Sequence, residues 1–292
     1  GIDKRPYTRA VNSQKCMRVA GKHNDLDDVG RDDTHHTFFE MLGNWSFGDY
    51  FKEGSIEFAW EFSTQVVKLD PKRIWVSVFE DDDEAYNIWN KKIGIPVDKI
   101  VRLGKKDNFW GPAGDTGACG PCSELYYDLG DEFSCGDPAC KPGCDCSRYL
   151  EYWNLVFNQF NYTLEGKFVP LPRTGIDTGM GLERLSLISQ GVKSVYETDL
   201  FRPFIEKVEA LAGAKYEGEN KPAFNVIADH IRAVVFVVSE GILPSNEGRG
   251  YVIRRILRRA IRFGKTIGIE KPFMYQLVDI ISEMMGDQYP EI

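Results

Sequence analysis

The densest group of chemically useful residues lies at residues 177–184, whose sequence is DTGMGLER. It combines the carboxylate of Asp177, the glycines Gly179 and Gly181, and the guanidinium of Arg184. Glycine lets a ligand approach the main chain closely, and arginine binds phosphate in a two-point geometry without losing its charge. The stretch therefore favours a site for a phosphate and an amine, although a loop that leads into an amphipathic helix would have the same pattern.

A second segment with cations around a glycine lies far upstream, at residues 18–25 (RVAGKHND). One hypothesis is a hairpin with charged residues at its tip, because glycine, asparagine and aspartate are turn formers. The alternative, which we favour, places Arg18 on a phosphate and the loop residues Lys22 and His23 over it. Phe39, on the returning strand, would then stack on a base. The two segments together predict a nucleotide site.

The spacing of apolar residues predicts an α+β fold in two parts. The first part would contain strands and helices, and the second, after about residue 192, helices alone. We predict two strands and their loop within residues 1–45, helices at 55–69 and 83–93, strands at 74–79 and 150–162, and an irregular region at 104–147. The 177–184 segment would lead into a helix, and the helices of the second part would lie at 199–212, 224–240, 250–265 and 272–285.

Four of the seven cysteines lie close together in a stretch rich in Gly, Pro and Asp, which predicts a loop. They are Cys135, Cys140, Cys144 and Cys146. Four thiolates in a loop suit tetrahedral zinc, but the spacing C-x4-C-x3-C-x-C differs from the paired C-x2-C pattern of a typical zinc ribbon. Disulfides are the alternative. We favour metal-bound or free thiols, because the sequence shows neither a secretory signal nor a membrane span.

The net charge of -8 argues against a generally basic nucleic-acid-binding protein, so any RNA contact must be local. Residues 249–265 carry seven cations and no acidic residue, with apolar residues at helical spacing between them. A solvated helix surface is one explanation, but uncompensated charge favours phosphate contact. The arginines that we expect to contact RNA are Arg249, Arg254, Arg255, Arg258, Arg259 and Arg262.

These motifs resemble those of the alanyl-tRNA synthetases, which are class II aminoacyl-tRNA synthetases. Arg18 and Glu40 lie where that family has its motif 2, and residues 179–184 lie where it has motif 3. The most specific matches are residues 35–44 (HHTFFEMLGN), 108–110 (NFW), 120–124 (GPCSE), 153–157 (WNLVF) and 245–251 (SNEGRGY). The resemblance runs from end to end. It implies an antiparallel sheet flanked by helices, followed by an all-helical domain.

The resemblance also implies a reaction, in which ATP and Mg²⁺ activate alanine and the alanyl group passes to the 3' end of tRNA(Ala). Arg18, at the α-phosphate, and Arg184, at the γ-phosphate, would be the catalytic cations, with Arg184 covering the adenine opposite Phe39. The implied ATP-binding residues are Arg18, Lys22, His23, Phe39, Gly181 and Arg184.

For the amino acid, the resemblance implies a methyl pocket closed by Trp110 and Val156. Asn154 would contact the substrate and Asp177 would pair with its ammonium group, with Gly179 beside them. In the acceptor stem of the tRNA, Asn246 would help to read a G:U pair.

Residues 1–192 would form the catalytic domain and residues 193–292 the helical domain that binds the acceptor stem. Relative to the resembled family, we expect both to be incomplete, because motif 1, the editing domain and the C-terminal domain are missing. We expect a cytoplasmic monomer that does not bind membranes. The alternative is a catalytically silent module that binds RNA or carries zinc.

Overall fold

The computed structural model describes residues 6–20, 23–112 and 114–292. The strands in this part of the chain are β1 (Arg9–Met17), β2 (Val19–Ala20), β3 (His23–Asn24), β4 (Phe38–Phe47), β5 (Ile74–Phe79), β6 (Ile100–Leu103), β7 (Phe109–Trp110), β8 (Gly117–Asp128), β9 (Tyr149–Tyr162) and β10 (Phe168–Gly181). The helices are α1 (Lys52–Glu61), α2 (Asp83–Asn87), α3 (Lys105–Asn108), α4 (Leu182–Gln190), α5 (Arg202–Ala212), α6 (Lys221–Ser239), α7 (Gly248–Thr266) and α8 (Val278–Met285).

The main sheet has the strand order β1-β4-β10-β9-β8-β5-β6, and β7 pairs with β8. Pairing is antiparallel from β4 through β10, β9 and β8 to β5, and parallel between β5 and β6. Helices pack on this sheet. Tyr152 of β9 donates a 2.9 Å hydrogen bond to Ser63, which follows α1, and Trp89, which follows α2, donates one of 2.8 Å to Ser123 of β8. The predicted α+β fold, an antiparallel sheet flanked by helices, is confirmed.

The described chain forms two compact units. We call the described residues of Gly1–Gln14 and Met41–Ser189 the sheet unit, and those of Lys15–Glu40 and Gln190–Ile292 the helical unit. The last crossing between the units lies close to the boundary that the sequence predicts near residue 192. The helical unit also includes an early segment, which the pattern of helices alone does not reveal.

The region 104–147, predicted to be irregular, contains strand β8, and that part of the prediction is wrong. Residues Cys119 to Tyr127 are buried, because β8 lies between β5 and β9 and has no solvent-exposed face. A strand of this kind lacks the alternation of apolar and polar residues that marks an edge strand. The register shift between Cys119 and Cys122 accommodates Gly120 and Pro121, which in the sequence resemble turn residues.

The segment around Asp177 leads into a helix, as predicted, but it is a strand and not the loop of the alternative interpretation. Asp177 and Gly179 lie in β10, and the helix α4 begins directly after Gly181. Strand β10 pairs on both sides, with β4 and β9, so its glycines are held in regular hydrogen bonding. The glycines therefore lie on the sheet itself.

Helix α6 is the core helix of the helical unit. The segment Gly218–Ser239 is long and apolar enough to cross a membrane by those two measures, but 72% of its apolar window is buried within the protein. Buried polar residues interrupt it, among them Asp229, His230 and Arg232. These features are typical of a helix that packs inside a globular unit.

Candidate functional site

Two rows of residues cross three adjacent strands of the sheet unit. The first row is Glu124 on β8, Asn154 on β9 and Gly179 on β10, and the second is Cys122, Val156 and Asp177 on the same strands. Directly opposed residues share a face of a sheet, and alternate residues of a strand return to that face. The structure thus brings four of the predicted alanine-binding residues onto one face.

Asp177 is the acidic residue of the second row. It is half-buried, and burial raises the pKa of its carboxyl, while a hydrogen bond from the Trp45 side chain lowers it again in part. A carboxylate that has left bulk water is stabilised best by a positively charged, hydrogen-bonding partner. The side chain of Val156 is directly opposite, so the position combines a charge acceptor with a small apolar wall.

Gly179, in the first row, lies against Met41 of β4. A Cβ atom at this position would lie 2.9 Å from Sδ of Met41 on the neighbouring strand, which is closer than side chains normally approach. Any other residue would therefore displace Met41 and cover the main chain opposite Asn154. The glycine therefore makes room for the Met41 side chain beside the first row.

Glu124 is a functional candidate to which the sequence analysis gave no role, although it ends the GPCSE motif. It is buried, and its oxygens accept hydrogen bonds from Asn154 Nδ2 at 2.8 Å and from the Tyr126 hydroxyl at 2.5 Å. Burial, and next the charge of Glu151, raises the pKa of Glu124 to about 8. In the sequence, Glu124 is an acidic residue next to the apolar run Leu125–Tyr127. Its burial depends on the central position of β8 in the sheet, which the sequence does not reveal.

Arg184 lies in the first turn of α4 and is held against β9. Its Nη1 donates a 2.8 Å hydrogen bond to the main-chain oxygen of Glu151 and lies 3.4 Å from the carboxylate of that residue. A Cβ at Gly181 would be in ordinary contact with the stem of Arg184, at 3.6 Å. A guanidinium has five N–H donors, so other donors of Arg184 remain for an anion.

Trp110 lies in the short strand β7, opposite Gly120 of β8. It is half-buried. Gly120 must be glycine, because a Cβ there would overlap the carbonyl oxygen of Phe157. The pairing of β7 with β8 thus places Trp110 beside β8. The role of Trp110 in closing a methyl pocket stays a prediction.

Arg18 and Phe39 lie together in the helical unit, with the guanidinium 5.0 Å from the centre of the ring. The main chain of Arg18 is fixed by hydrogen bonds with Thr37 at 3.0 Å and Asp25 at 3.1 Å. Lys22 lies outside the described residues, and for His23 the structure describes the main chain in β3. Arg18 belongs to the helical unit and Arg184 to the sheet unit, so their convergence on one triphosphate stays a prediction.

The four clustered cysteines come together in the connection between β8 and β9. All their sulfur atoms lie within 4.8 Å of one another, with Cys135 and Cys144 at 3.6 Å and Cys140 and Cys146 at 3.3 Å. Zinc bound by four thiolates at about 2.3 Å requires sulfur atoms about 3.8 Å apart. The cluster fits such an ion, and the four cysteines are free thiols in the structure.

The basic stretch forms α7, and its arginines fall into two groups. Arg249, Arg258 and Arg262 are exposed, and none has a hydrogen-bond partner in the part of the chain that the structure describes. The others bind within the helical unit: Arg255 to the main-chain oxygen of Val19 at 2.8 Å, Arg259 to that of Val29 at 2.8 Å, and Arg254 to the side chain of Asn246. The first group is therefore the one available to a phosphate backbone.

Two of the solved structures to which the chain is similar are synthetases, and each likeness is weak. The chain is 14% identical to the pyrrolysyl-tRNA synthetase PylSc of Desulfitobacterium hafniense, with a TM-score of 0.25 over 65% of this chain and 43% of that one. It is 13% identical to apo histidyl-tRNA synthetase of S. aureus, with a TM-score of 0.36 over 90% of this chain and 64% of that one. The chain thus spans less than two thirds of the length of either structure.

A model of one protein family matches the chain over its full length, from residue 1 to residue 292. The description of that family is tRNA synthetases class II (A). The match includes the two rows on the sheet, the GLER segment at the start of α4, and the basic helix. The chain therefore belongs to the class II tRNA synthetases of this family.

Proposed function

We propose that this chain carries the alanine-activating region of an alanine–tRNA ligase. Residues 1–192 would form alanyl-adenylate from alanine and ATP, and residues 193–292 would bind the acceptor stem of tRNA(Ala), which receives the alanyl group at its 3' end. The observation that carries the proposal is the pair of rows on the sheet, with Val156 opposite Asp177 and Asn154 opposite Gly179.

The rows support a small, zwitterionic substrate. The ammonium group of an amino acid would stabilise the half-buried Asp177 carboxylate, because it supplies both charge and N–H donors. Val156 and, from its position beside β8, Trp110 would limit the space for the side chain. A methylene contributes only about 1–3 kcal/mol to discrimination, so excluding larger residues by such walls matters more than attraction for alanine.

In activation the substrate carboxylate attacks the α-phosphorus of ATP, which transfers the adenylyl group and releases pyrophosphate. The protein's task is to position the groups and offset charge. Arg18 and Arg184 would do so at the two ends of the triphosphate, with Phe39 on the adenine. The half-exposed carboxylate of Glu151 beside Arg184 is an oxygen ligand of the kind that Mg²⁺ accepts, so Glu151 would help to hold that ion, which would offset phosphate charge.

For the RNA we propose that the exposed arginines of α7 contact the phosphate backbone of the acceptor stem. A helix that presents uncompensated cations is suited to phosphates, whose contacts position an RNA without reading its sequence. Asn246, in the loop before α7, would approach the bases. A role in protein synthesis would place the protein in the cytoplasm. We propose that it acts there as a monomer.

We further propose that Cys135, Cys140, Cys144 and Cys146 bind a structural zinc ion. The connection that carries them runs from residue 129 to 148, and its ends are joined by Arg148, whose two donors each lie 2.9 Å from the Asp128 carboxylate. A zinc ion bound by the four cysteines would link residues in the interior of this connection, as the Arg148–Asp128 ion pair links its ends. Zinc bound by four protein ligands has no open position, so the ion would stabilise the fold.

Amino-acid-dependent exchange of pyrophosphate into ATP tests the proposal, with alanine, glycine and serine compared at equal concentrations. We expect exchange with alanine above the other two, and a loss of at least tenfold in kcat/KM for alanine in Asp177→Asn. Asp131→Asn, at an exposed position, is the control, and its kcat/KM for alanine should equal that of the unsubstituted chain. Exchange that prefers another amino acid would overturn the alanine assignment. A folded chain that exchanges with none of them but binds tRNA would favour the catalytically silent module.

A further inference from the structure

The carboxyl group of Glu124 and the amide of Asn154 form a buried polar pair in the first row. Nδ2 of Asn154 donates to Oε1 of Glu124 at 2.8 Å. The other oxygen, Oε2, accepts from the Tyr126 hydroxyl at 2.5 Å and lies 3.4 Å from the Ser77 hydroxyl. Glu124 is therefore held from two further directions, by β8 itself and by β5.

This contact fixes which way the Asn154 amide points. While Oε1 of Glu124 is an acceptor, an amide turned over would set its own oxygen against that atom, and the hydrogen bond would be lost. The Asn154 side chain also hydrogen-bonds Cys122, which lies on β8 as Glu124 does. The orientation is set by β8, whereas the predicted ligand residues on the other side of Asn154 lie on β10.

The amide oxygen of Asn154 has no such partner. Oδ1 is buried, and no donor among the described residues reaches it. A buried acceptor without a donor costs about 1–3 kcal/mol, and such atoms are rare in folded proteins. Gly179 lies directly opposite Asn154, and Asp177 lies two residues before it on β10. An N–H donor that enters this site would be shared by Oδ1 and the Asp177 carboxylate.

We propose that Glu124 is a positioning residue that holds the Asn154 amide with Oδ1 ready to accept a hydrogen bond from the ammonium group of the substrate. The inference rests on the proposed function, because it assumes that the site takes an amino acid. Asp177 supplies the opposite charge, and Asn154 supplies a directed acceptor whose orientation depends on Glu124. The ligand provides the donor that Oδ1 lacks.

Equilibrium binding of two stable adenylate analogues tests this without catalysis. One is alanyl-sulfamoyl-adenosine, which carries the ammonium group, and the other is its propionyl counterpart, which lacks it. Glu124→Ala should weaken binding of the alanyl analogue at least tenfold and change binding of the propionyl analogue less than twofold. Glu124→Gln, which keeps an oxygen for Asn154 Nδ2, should restore alanyl binding to within about threefold of the original. A purely structural role would weaken both analogues together.

A double-mutant cycle with Asn154→Ala shows whether Glu124 acts through the amide. In the Asn154→Ala background, Glu124→Ala should cause no further loss for the alanyl analogue. If the original chain binds both analogues equally or neither, the proposed function fails. If it prefers the alanyl analogue and Glu124→Ala keeps that preference, the positioning role alone is overturned. Should Glu124→Ala not fold, Glu124→Met supplies a side chain of similar length without an acceptor, and the same two outcomes apply.

Discussion

Arg259 donates a 2.8 Å hydrogen bond from Nη2 to the main-chain oxygen of Val29. Its Nη1 lies 3.0 Å from Nε2 of His230, so the guanidinium joins α7 to the loop before β4 and to α6. The neighbouring Arg258 is exposed and has no hydrogen-bond partner within the described residues. Two adjacent arginines of one basic helix thus have different surroundings.

Arg258→Ala should weaken binding of a tRNA(Ala) transcript and leave alanine activation unchanged. The loss of one phosphate contact reduces the slope of log affinity against log salt concentration by about 1. Fluorescence anisotropy at several salt concentrations measures both quantities. Lys271→Ala, also exposed in the helical unit, removes the same charge away from α7 and should leave the slope unchanged. An equal reduction in both variants would refute a local RNA surface.

Arg259→Ala should instead lower the thermal stability of the chain, because it removes the hydrogen bonds that join three segments of the helical unit. A lower melting temperature, recorded by circular dichroism without RNA, is the expected result. Arg258→Ala is the matched control and should melt at the original temperature. If Arg259→Ala changed RNA binding but not melting, the assignment of the two arginines would be reversed.

Thr37→Val should destabilise the helical unit by about 1–3 kcal/mol, because a fully buried carboxylate loses one of its hydrogen-bond donors. The Thr37 hydroxyl donates to the fully buried carboxylate of Asp229, which also accepts from the Thr37 main chain at 2.9 Å. Urea unfolding measures the effect. Thr34→Val is a control with the same chemical change outside this network, and we expect it to lie within about 0.5 kcal/mol of the original. Equal effects of both substitutions would contradict the prediction.

Glu124→Gln should change how stability depends on pH. The pKa of Glu124 is raised from 4.5 to about 8, so between these values the folded chain holds a proton that the unfolded chain has released. The stability that this group contributes is present below the unfolded pKa and is lost as the pH rises through the folded pKa. The glutamine cannot ionise. The unfolding free energy of Glu124→Gln minus that of the unsubstituted chain should therefore increase from pH 5 to pH 8, by at most about 1.4 kcal/mol per pH unit.

Denaturant unfolding at pH 5, 6, 7 and 8 measures this difference. Glu270→Gln, at an exposed position, should give a difference that does not vary with pH. A constant difference for Glu124→Gln as well would mean that the carboxyl group ionises normally in the folded chain.

Cys140→Ser and Cys144→Ser should abolish zinc binding, which we expect at about one ion per purified chain. Elemental analysis gives the metal content, and a chelator should lower the melting temperature of the original chain but not of the variants. Cys16→Ser, outside the cluster, should retain the ion. Cysteines found joined as disulfides by mass spectrometry under non-reducing conditions would favour the alternative that the sequence left open.

The sequence predicted those helices and strands whose apolar residues recur with a clear period within the element itself. Helices α6 and α7 and strand β9 appear within a few residues of their predicted bounds, because each has a clear apolar face or a long apolar run. By contrast, β8 was missed, since its glycines and proline indicate turns until its neighbours on both sides are known.

The same limit applies to the site. Asn154, Val156, Asp177 and Gly179 were selected by resemblance, and the register of β9 and β10 shows why those spacings matter. Glu124 was not selected, because its partner Asn154 is 30 positions away along the chain. Arg255 and Arg259 of α7 bind the main-chain oxygens of Val19 and Val29. Every residue has a main-chain oxygen, so the sequence does not mark these two as acceptors.

The membership of Lys15–Glu40 in the helical unit has a consequence for how this unit could be inherited or transplanted. A gene fragment that starts at Gln190 would encode α5 to α8 but omit Thr37, and Asp229 would lose two of its donors. The helical unit is therefore not a cassette with a single junction. A recombination event that moves it intact must carry two separate stretches of coding sequence together.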